Sequence, residues 1–179
     1  MSDAPVTTFR PGTEADALCL GVLATQVFLD TYATDGIRTA IAHEVLEQLS
    51  TPAVSAMLAT PGMRFIVAER ADHLVGFAQL SLDAVHELMP HRPAAELNRL
   101  YVQDRFTGRG IGKALLARAE VLARDEGAAT LWLTAWVGNT RALAFYPRCG
   151  YLDRGPTIYE FRGEQHGNRL FSKSLAPTH

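Results

Sequence analysis

The residues best suited to chemistry lie together in Arg105-Phe106-Thr107-Gly108-Arg109-Gly110-Ile111-Gly112. Glycines at alternate positions let a backbone turn sharply and approach a ligand with no Cβ in the way. They stand where a β-prone run gives way to a helical pattern. The first amides of a helix lack an intrahelical acceptor, so they point at whatever lies ahead of them. Arg105 and Arg109 add positive charge there, and Lys113 adds more one turn in. The pattern reads as a pyrophosphate-binding turn; its alternative is a glycine-rich turn serving tight packing alone.

Spacing separates this turn from three familiar phosphate motifs. In a dinucleotide fingerprint, G-x-G-x-x-G, the third glycine falls one residue later than Gly112. The Walker loop, G-x-x-x-x-G-K-[ST], fails at Thr107 and again at Ala114, which stands where a magnesium-binding hydroxyl belongs. The kinase glycine loop fails because no downstream signature set follows.

The elements that must position the turn can be read from pattern. Val6 to Arg10 is a first strand stopped by Pro11-Gly12, and Thr13-Glu14-Ala15-Asp16 opens a helix with a hydroxyl cap and early acids. That helix runs through Leu18, Val22, Val27 and Phe28 towards Asp30-Thr31-Tyr32, with shorter helices over Ile37 to Leu49 and Pro52 to Leu58. Arg64 to Glu69 and Leu74 to Leu82 form a hairpin about Arg70-Ala71-Asp72-His73. Asp83 to Arg92 is irregular, and Ala95 to Val102 is the strand that feeds the glycine turn. Beyond it Ile111, Leu115, Ala119 and Leu122 share one helical face, and the helix ends near Gly127. Thr130 to Trp136 is a strand, and Asn139 to Arg148 a helix broken at Pro147. Tyr151 to Phe161 and Arg169 to Leu175 are the last strands. This order predicts one mixed α/β sheet, not a regular βαβ repeat.

Composition narrows the function classes. The 179 residues fit a single domain over 1–179, with 47% hydrophobic and 20% charged residues. A formal charge of −2 gives no bulk electrostatic case for nucleic acid or an anionic membrane. No stretch approaches the ~18 apolar residues of a membrane span. Cys19 and Cys149 have neither metal nor bridge spacing. With no signal peptide in view, the expectation is a soluble, cytoplasmic protein. His86-Glu87-Leu88-Met89-Pro90-His91 approaches a zinc-protease signature, but the second histidine comes five residues on and Pro90 would break the helix, so no metal site is expected.

Leu97-Asn98-Arg99-Leu100-Tyr101-Val102, followed by Arg105-x-x-Gly108-x-Gly110, resembles the acyl-CoA-binding motif of the GNAT superfamily of N-acetyltransferases. Asn139-Thr140-Arg141-Ala142-Leu143-Ala144-Phe145-Tyr146, with Gly150-Tyr151 beyond it, resembles that superfamily's second motif, and the two come in the right order. The resemblance covers residues 64 to 175 well and the first sixty only by element order. It implies a central, mostly antiparallel mixed sheet of about seven strands flanked by helices, splayed between 95–102 and 130–136 to hold acetyl-CoA. Backbone groups of Leu100 and Val102, with Tyr101 between them, would pair with the pantetheine arm. Amides from Gly108 through Arg109, Gly110, Ile111 and Gly112 to Lys113 would hold the pyrophosphate beside Arg105. Asn139 would bond the pantetheine region or serve only as a helix cap.

The implied reaction is attack of an amine on a thioester. An alkylammonium of pKa ~10.4 is only about one part in 2,500 neutral at pH 7, and the departing thiolate needs a proton. Tyr146 lies almost two helical turns after Asn139, shares its face, and is the expected acid, against the alternative of a core tyrosine. Glu96, two residues from Asn98 on the strand, is the candidate base or an exposed carboxylate at a strand start. Asp30 and Tyr32 suit a cationic amine acceptor, or simply end a helix. The expected acceptor is a primary amine of a small molecule, such as a polyamine or drug-like amine, or a peptide N-terminus. The competing reading is a non-catalytic acyl-CoA-binding regulatory module, which would have no need of Tyr146. The C-terminal strands would allow a homodimer, which no sequence feature establishes.

Overall fold

A computed structural model describes residues 5–89 and 93–176. The elements in chain order are β1 (Thr7–Pro11), a 3-10 turn (Glu14–Asp16), α1 (Ala17–Tyr32), α2 (Thr39–Gln48), α3 (Thr51–Ala59), β2 (Met63–Arg70) and β3 (His73–Ser81). There follow β4 (Ala94–Val102), a second 3-10 turn (Asp104–Phe106), α4 (Ile111–Asp125), β5 (Thr130–Trp136), α5 (Thr140–Arg148), β6 (Leu152–Phe161) and β7 (Glu164–Ser174). Hydrogen-bonded neighbours follow the order β1-β2-β3-β4-β5-β7-β6. The pair β4–β5 is parallel, whereas β1–β2, β5–β7 and β6–β7 are antiparallel. This is the mixed seven-stranded α/β arrangement expected. The described residues fall into two compact units, one within Met1–Leu80 and Arg99–Ala119, the other within Ser81–Asn98 and Glu120–His179.

In the first unit, Phe65–Ala68 of β2 and Val75–Leu80 of β3 are buried without interruption, which marks strands covered on both faces. Their core includes Leu20, Leu23 and Ala24 of α1, Val54 of α3, Phe65, Val67 and Phe77. Ala71 and Asp72 both adopt positive φ (46° and 62°) at the β2–β3 turn, the backbone that a two-residue hairpin loop demands. Arg10 ties β1 to its neighbours, donating to both Asp16 oxygens at 2.7 and 2.8 Å and to Glu69 at 2.6 Å. That guanidinium holds the Asp16 carboxyl down to about 2.

In the second unit, β5 pairs with β7 from Thr130↔Ser174 to Trp136↔Asn168, and β6 pairs with β7 around a bulge at Asp153/Gly155. The parallel ladder of β4 and β5 covers only Ala94–Glu96 against Thr130–Trp132, although β5 runs on to Trp136. Lys173 Nζ donates to both Glu120 oxygens and to the Cys149 carbonyl, all at 3.0 Å. The Tyr151 hydroxyl donates to the same Glu120 at 3.1 Å, and burial raises its pKa. This cluster pins the end of α5.

Four expectations need correction. Leu18 and Val22 face solvent at 62% and 65% exposure, while Leu20, Leu23 and Ala24 turn inward; nearly every position of α1 is apolar enough for either face. Pro147 does not break α5, which continues to Arg148, and the Cys149 amide closes its end on Phe145 and Tyr146 carbonyls. A proline so near the C-terminus removes one ladder bond only. Strand β7 starts at Glu164, not Arg169, because Arg162-Gly163 (φ 47° and 82°) folds a polar segment back onto β6. Strand β1 includes Pro11, whose partner is Ile66. The irregular 83–92 segment forms a small bridge between His86 and Met89; Pro90 and His91 lie outside the described residues.

Candidate active site

The glycine turn belongs to the first unit. After β4, the amides of Phe106 and Thr107 bond the carbonyls of Gln103 and Asp104 at 2.9 and 3.1 Å, and Thr107 Oγ1 donates to the Asp104 carbonyl at 2.7 Å. Gly108 and Gly110 then take φ of +73° and +79°, and a Cβ added at either would meet nothing within 4 Å. Close packing therefore does not explain these glycines; backbone conformation does. The first bond of the α4 ladder runs from the Ala114 amide to the Gly110 carbonyl at 2.9 Å. The amides of Ile111, Gly112 and Lys113 thus stand ahead of it, at the positive end of the helix dipole.

Side chains around the turn sort themselves by exposure. Arg105, Arg109 and Lys113 are exposed, whereas Ile111 is 3% exposed in the core. Any ligand contact of Ile111 is limited to its backbone. Arg109 and Arg70 stand 5.6 and 5.9 Å from the Phe106 ring centroid, so a third arginine joins Arg105 and Arg109. Leu100 and Val102 are half-buried at the end of β4, and Tyr101 packs edge-on against Phe77 at 5.5 Å. The tyrosine ring thus packs against the core of the first unit.

Arg99, the residue before Leu100, lines a pocket with α1 and α3 residues in the same unit. Its Nη1 donates to Gln79 Oε1 at 2.7 Å, and Gln79 Nε2 faces the sulfurs of Met57 and Met63 at 3.5 and 3.3 Å. Asp30 is exposed near the end of α1, and Tyr32 lies against Phe28 with centroids 4.9 Å apart.

Glu96, Asn139 and Tyr146 belong to the second unit. Glu96 is opposite Trp132 at the last rung of the β4–β5 ladder and is half-buried, not an exposed strand start. Burial pushes its carboxyl above the usual range, which makes it a better proton acceptor near neutral pH. Asn139 caps α5, its Oδ1 accepting the Ala142 amide at 3.1 Å. Tyr146 is 8% exposed, its ring 5.7 Å from Tyr151 and 6.0 Å from Phe171. His86 is spent on the fold: Nδ1 accepts the Leu88 amide at 3.2 Å and the ring meets Trp132 at 5.3 Å. Among the described residues no three potential metal ligands cluster, and no helix is long and apolar enough to cross a membrane.

Known proteins share this fold. The model of the acetyltransferase (GNAT) family matches residues 32–151. The chain belongs to the GNAT acetyltransferase family. It is 28% identical over 158 residues to aminoglycoside N(6')-acetyltransferase type 1 of Stenotrophomonas maltophilia, covering 87% of this chain and 93% of that one. An uncharacterized N-acetyltransferase of Lactobacillus delbrueckii subsp. lactis is 24% identical over 153 residues, covering 86% of this chain and 88% of that one. The crystal structure of PaiA N-acetyltransferase from Thermoplasma acidophilum, in complex with coenzyme A, matches with a TM-score of 0.72 at 22% identity, covering 94% and 99% of the two chains.

Three residues of this GNAT acetyltransferase escaped the sequence reading. Arg70 is far from the turn in sequence, and no periodicity links them. Gln79 carried a signal, being polar within the apolar run Val75–Leu80. Asn168, in β7, is 7% exposed; its Nδ2 donates to Thr134 at 3.3 Å while Oδ1 has no partner among the described residues.

Proposed function

We propose that this enzyme transfers an acetyl group from acetyl-CoA to a primary amine, either of a small molecule such as a polyamine or drug-like amine or of a peptide N-terminus. Both units would serve one catalytic domain. The observation that carries the donor assignment is the turn itself: two positive-φ glycines in open space before a helix start, in a stretch that also carries exposed Arg105, Arg109 and Lys113. A structural relative crystallised with coenzyme A supports it. A cytoplasmic setting fits the two free cysteines, Cys19 and Cys149.

In this mechanism the amides of Gly108 to Lys113 hold the pyrophosphate, the main chain of Leu100 to Val102 pairs with the pantetheine arm, and Asn139 steadies it. Glu96 takes a proton from the ammonium, the freed amine nitrogen attacks the thioester carbonyl, the carbon–sulfur bond breaks, and the second nitrogen proton and that on Glu96 pass to solvent. Tyr146 gives its hydroxyl proton to the departing thiolate and recovers one from solvent. A phenol near pKa 10 protonating a thiolate near 8.5 is uphill by about 2 kcal/mol, which a positioned site offsets. Asp30 and Tyr32 offer an acid and an aromatic face to a cationic acceptor.

One observation favours the second reading, a non-catalytic acyl-CoA-binding module: Tyr146 is packed among aromatic rings, as a purely structural tyrosine would be. Thiol release from acetyl-CoA across a panel of amines, with acetyl-CoA binding measured separately, decides between them. Turnover on at least one amine class is expected. Binding without turnover on every class would favour the module.

A further inference from the structure

The pocket beneath α1 and α3 asks for a negative charge. Its walls, Leu20, Ala24, Val54, Phe65 and Phe77, are apolar, and one cation, Arg99, stands among them. A guanidinium has five N–H donors. Nη1 of Arg99 is accounted for by Gln79 Oε1 at 2.7 Å and a long contact of 3.9 Å with the Met57 sulfur. No carboxylate within ion-pair distance of Arg99 is present among the described residues. A half-buried cation without a counter-charge is unusual, because desolvating a charge is costly unless it is paired.

Gln79 explains how the cation is held. It is 1% exposed, and its amide nitrogen faces the two methionine sulfurs, which directs Oε1 at Arg99. The guanidinium is thereby oriented in advance with donors to spare. Arg99 also adjoins Leu100, the first residue of the main-chain run assigned to the pantetheine arm. Successive strand residues point to opposite faces, so the pocket occupies the face of β4 opposite the Leu100 side chain.

We infer that this pocket receives a carboxylate of the acceptor, with Arg99 as its counter-charge and Gln79 as the residue that positions Arg99. The acceptor is then a carboxylate-bearing amine of the amino-acid class. The pocket has room for roughly one water, and so for one carboxylate oxygen in its place. A phosphate dianion would bring more charge than one guanidinium answers, against apolar walls. The inference rests on the acyltransferase reading for the identity of the acceptor, but not for the existence of the anion site.

Matched amines test it: amino acids and short peptides against the same molecules with the carboxylate amidated. The wild-type enzyme is expected to favour the acid over the amide by at least roughly tenfold in kcat/KM, the scale of one charge-assisted pair. In Arg99→Met that preference collapses to about twofold or less, chiefly through KM, and Arg99→Lys recovers part of it. A wild-type ratio near one, or a ratio unchanged in Arg99→Met, overturns the proposal. If no amine is acetylated, the function reading fails, and the anion site is still tested by methyl-labelled methionine spectra. Acetate and glycine titrated into the full chain should shift the Met57 methyl saturably in wild type and not in Arg99→Met; no saturable shift in wild type overturns the site.

Discussion

The glycine turn and helix α5 carry the two clearest motifs in the sequence, and the structure uses them in opposite ways. At the turn the useful groups belong to the backbone. Gly108 and Gly110 sit in open space, and three amides precede the α4 ladder. At α5 the useful groups are side chains with duties in the fold: Asn139 caps the helix, and Tyr146 packs against Tyr151 and Phe171. A backbone site arises from helix geometry and needs only glycine where φ is positive. A side-chain site must be positioned by packing and still retain a group for the ligand. The first kind is therefore legible from residue types, and the second only from contacts.

The sharpest way to break that contrast is Gly110→Val. A β-branched residue at φ +79° is strained whatever the space around it. The backbone should leave its conformation and acetyl-CoA affinity should fall by about a hundredfold, as several charge-assisted bonds are lost together. Calorimetric titration checks this, alongside a melting curve to show that the fold survives. An unchanged Kd would remove the turn as the pyrophosphate holder. Next in size is Tyr146→Phe, which keeps the ring packing and deletes the hydroxyl. Turnover should drop at least about tenfold with little loss of acetyl-CoA affinity. Stopped-assay thiol release measures it, and equal turnover would make Tyr146 a core residue and no acid.

Much of this is legible in the residue types alone. The bounds of β5, Thr130–Trp136, match the expectation because β-branched and aromatic residues fill it. The hairpin about Ala71-Asp72 and the glycine turn followed from local chemistry in the same way. Four features were closed to such reading. The inward face of α1 is hidden by apolar residues all round it. The start of β7 depends on pairing with β6, since Glu164–Asn168 has no strand propensity of its own. The Gln79–Arg99 bond and the burial of Glu96 join residues distant in sequence or depend on what covers a strand. Each is a tertiary fact, invisible to a pattern of types.

The smallest expected effect addresses Asn139, where the two kinds of site overlap in one residue. Its Oδ1 is committed to the Ala142 amide, yet an asparagine amide also carries two N–H donors, and these suit a pantetheine carbonyl. Asn139→Ala removes both functions. Loss of the cap should cost about 1 kcal/mol, a fall in Tm of roughly 2–4 °C for a chain of this size. Asn139→Ser restores an oxygen to the cap but supplies no amide donor. Serine should therefore recover the Tm of the wild type while the KM for acetyl-CoA stays raised by roughly threefold to tenfold, the worth of one neutral hydrogen bond. If KM recovers together with Tm, Asn139 is a helix cap and nothing more. Helix α5 would then serve the reaction through Tyr146 alone.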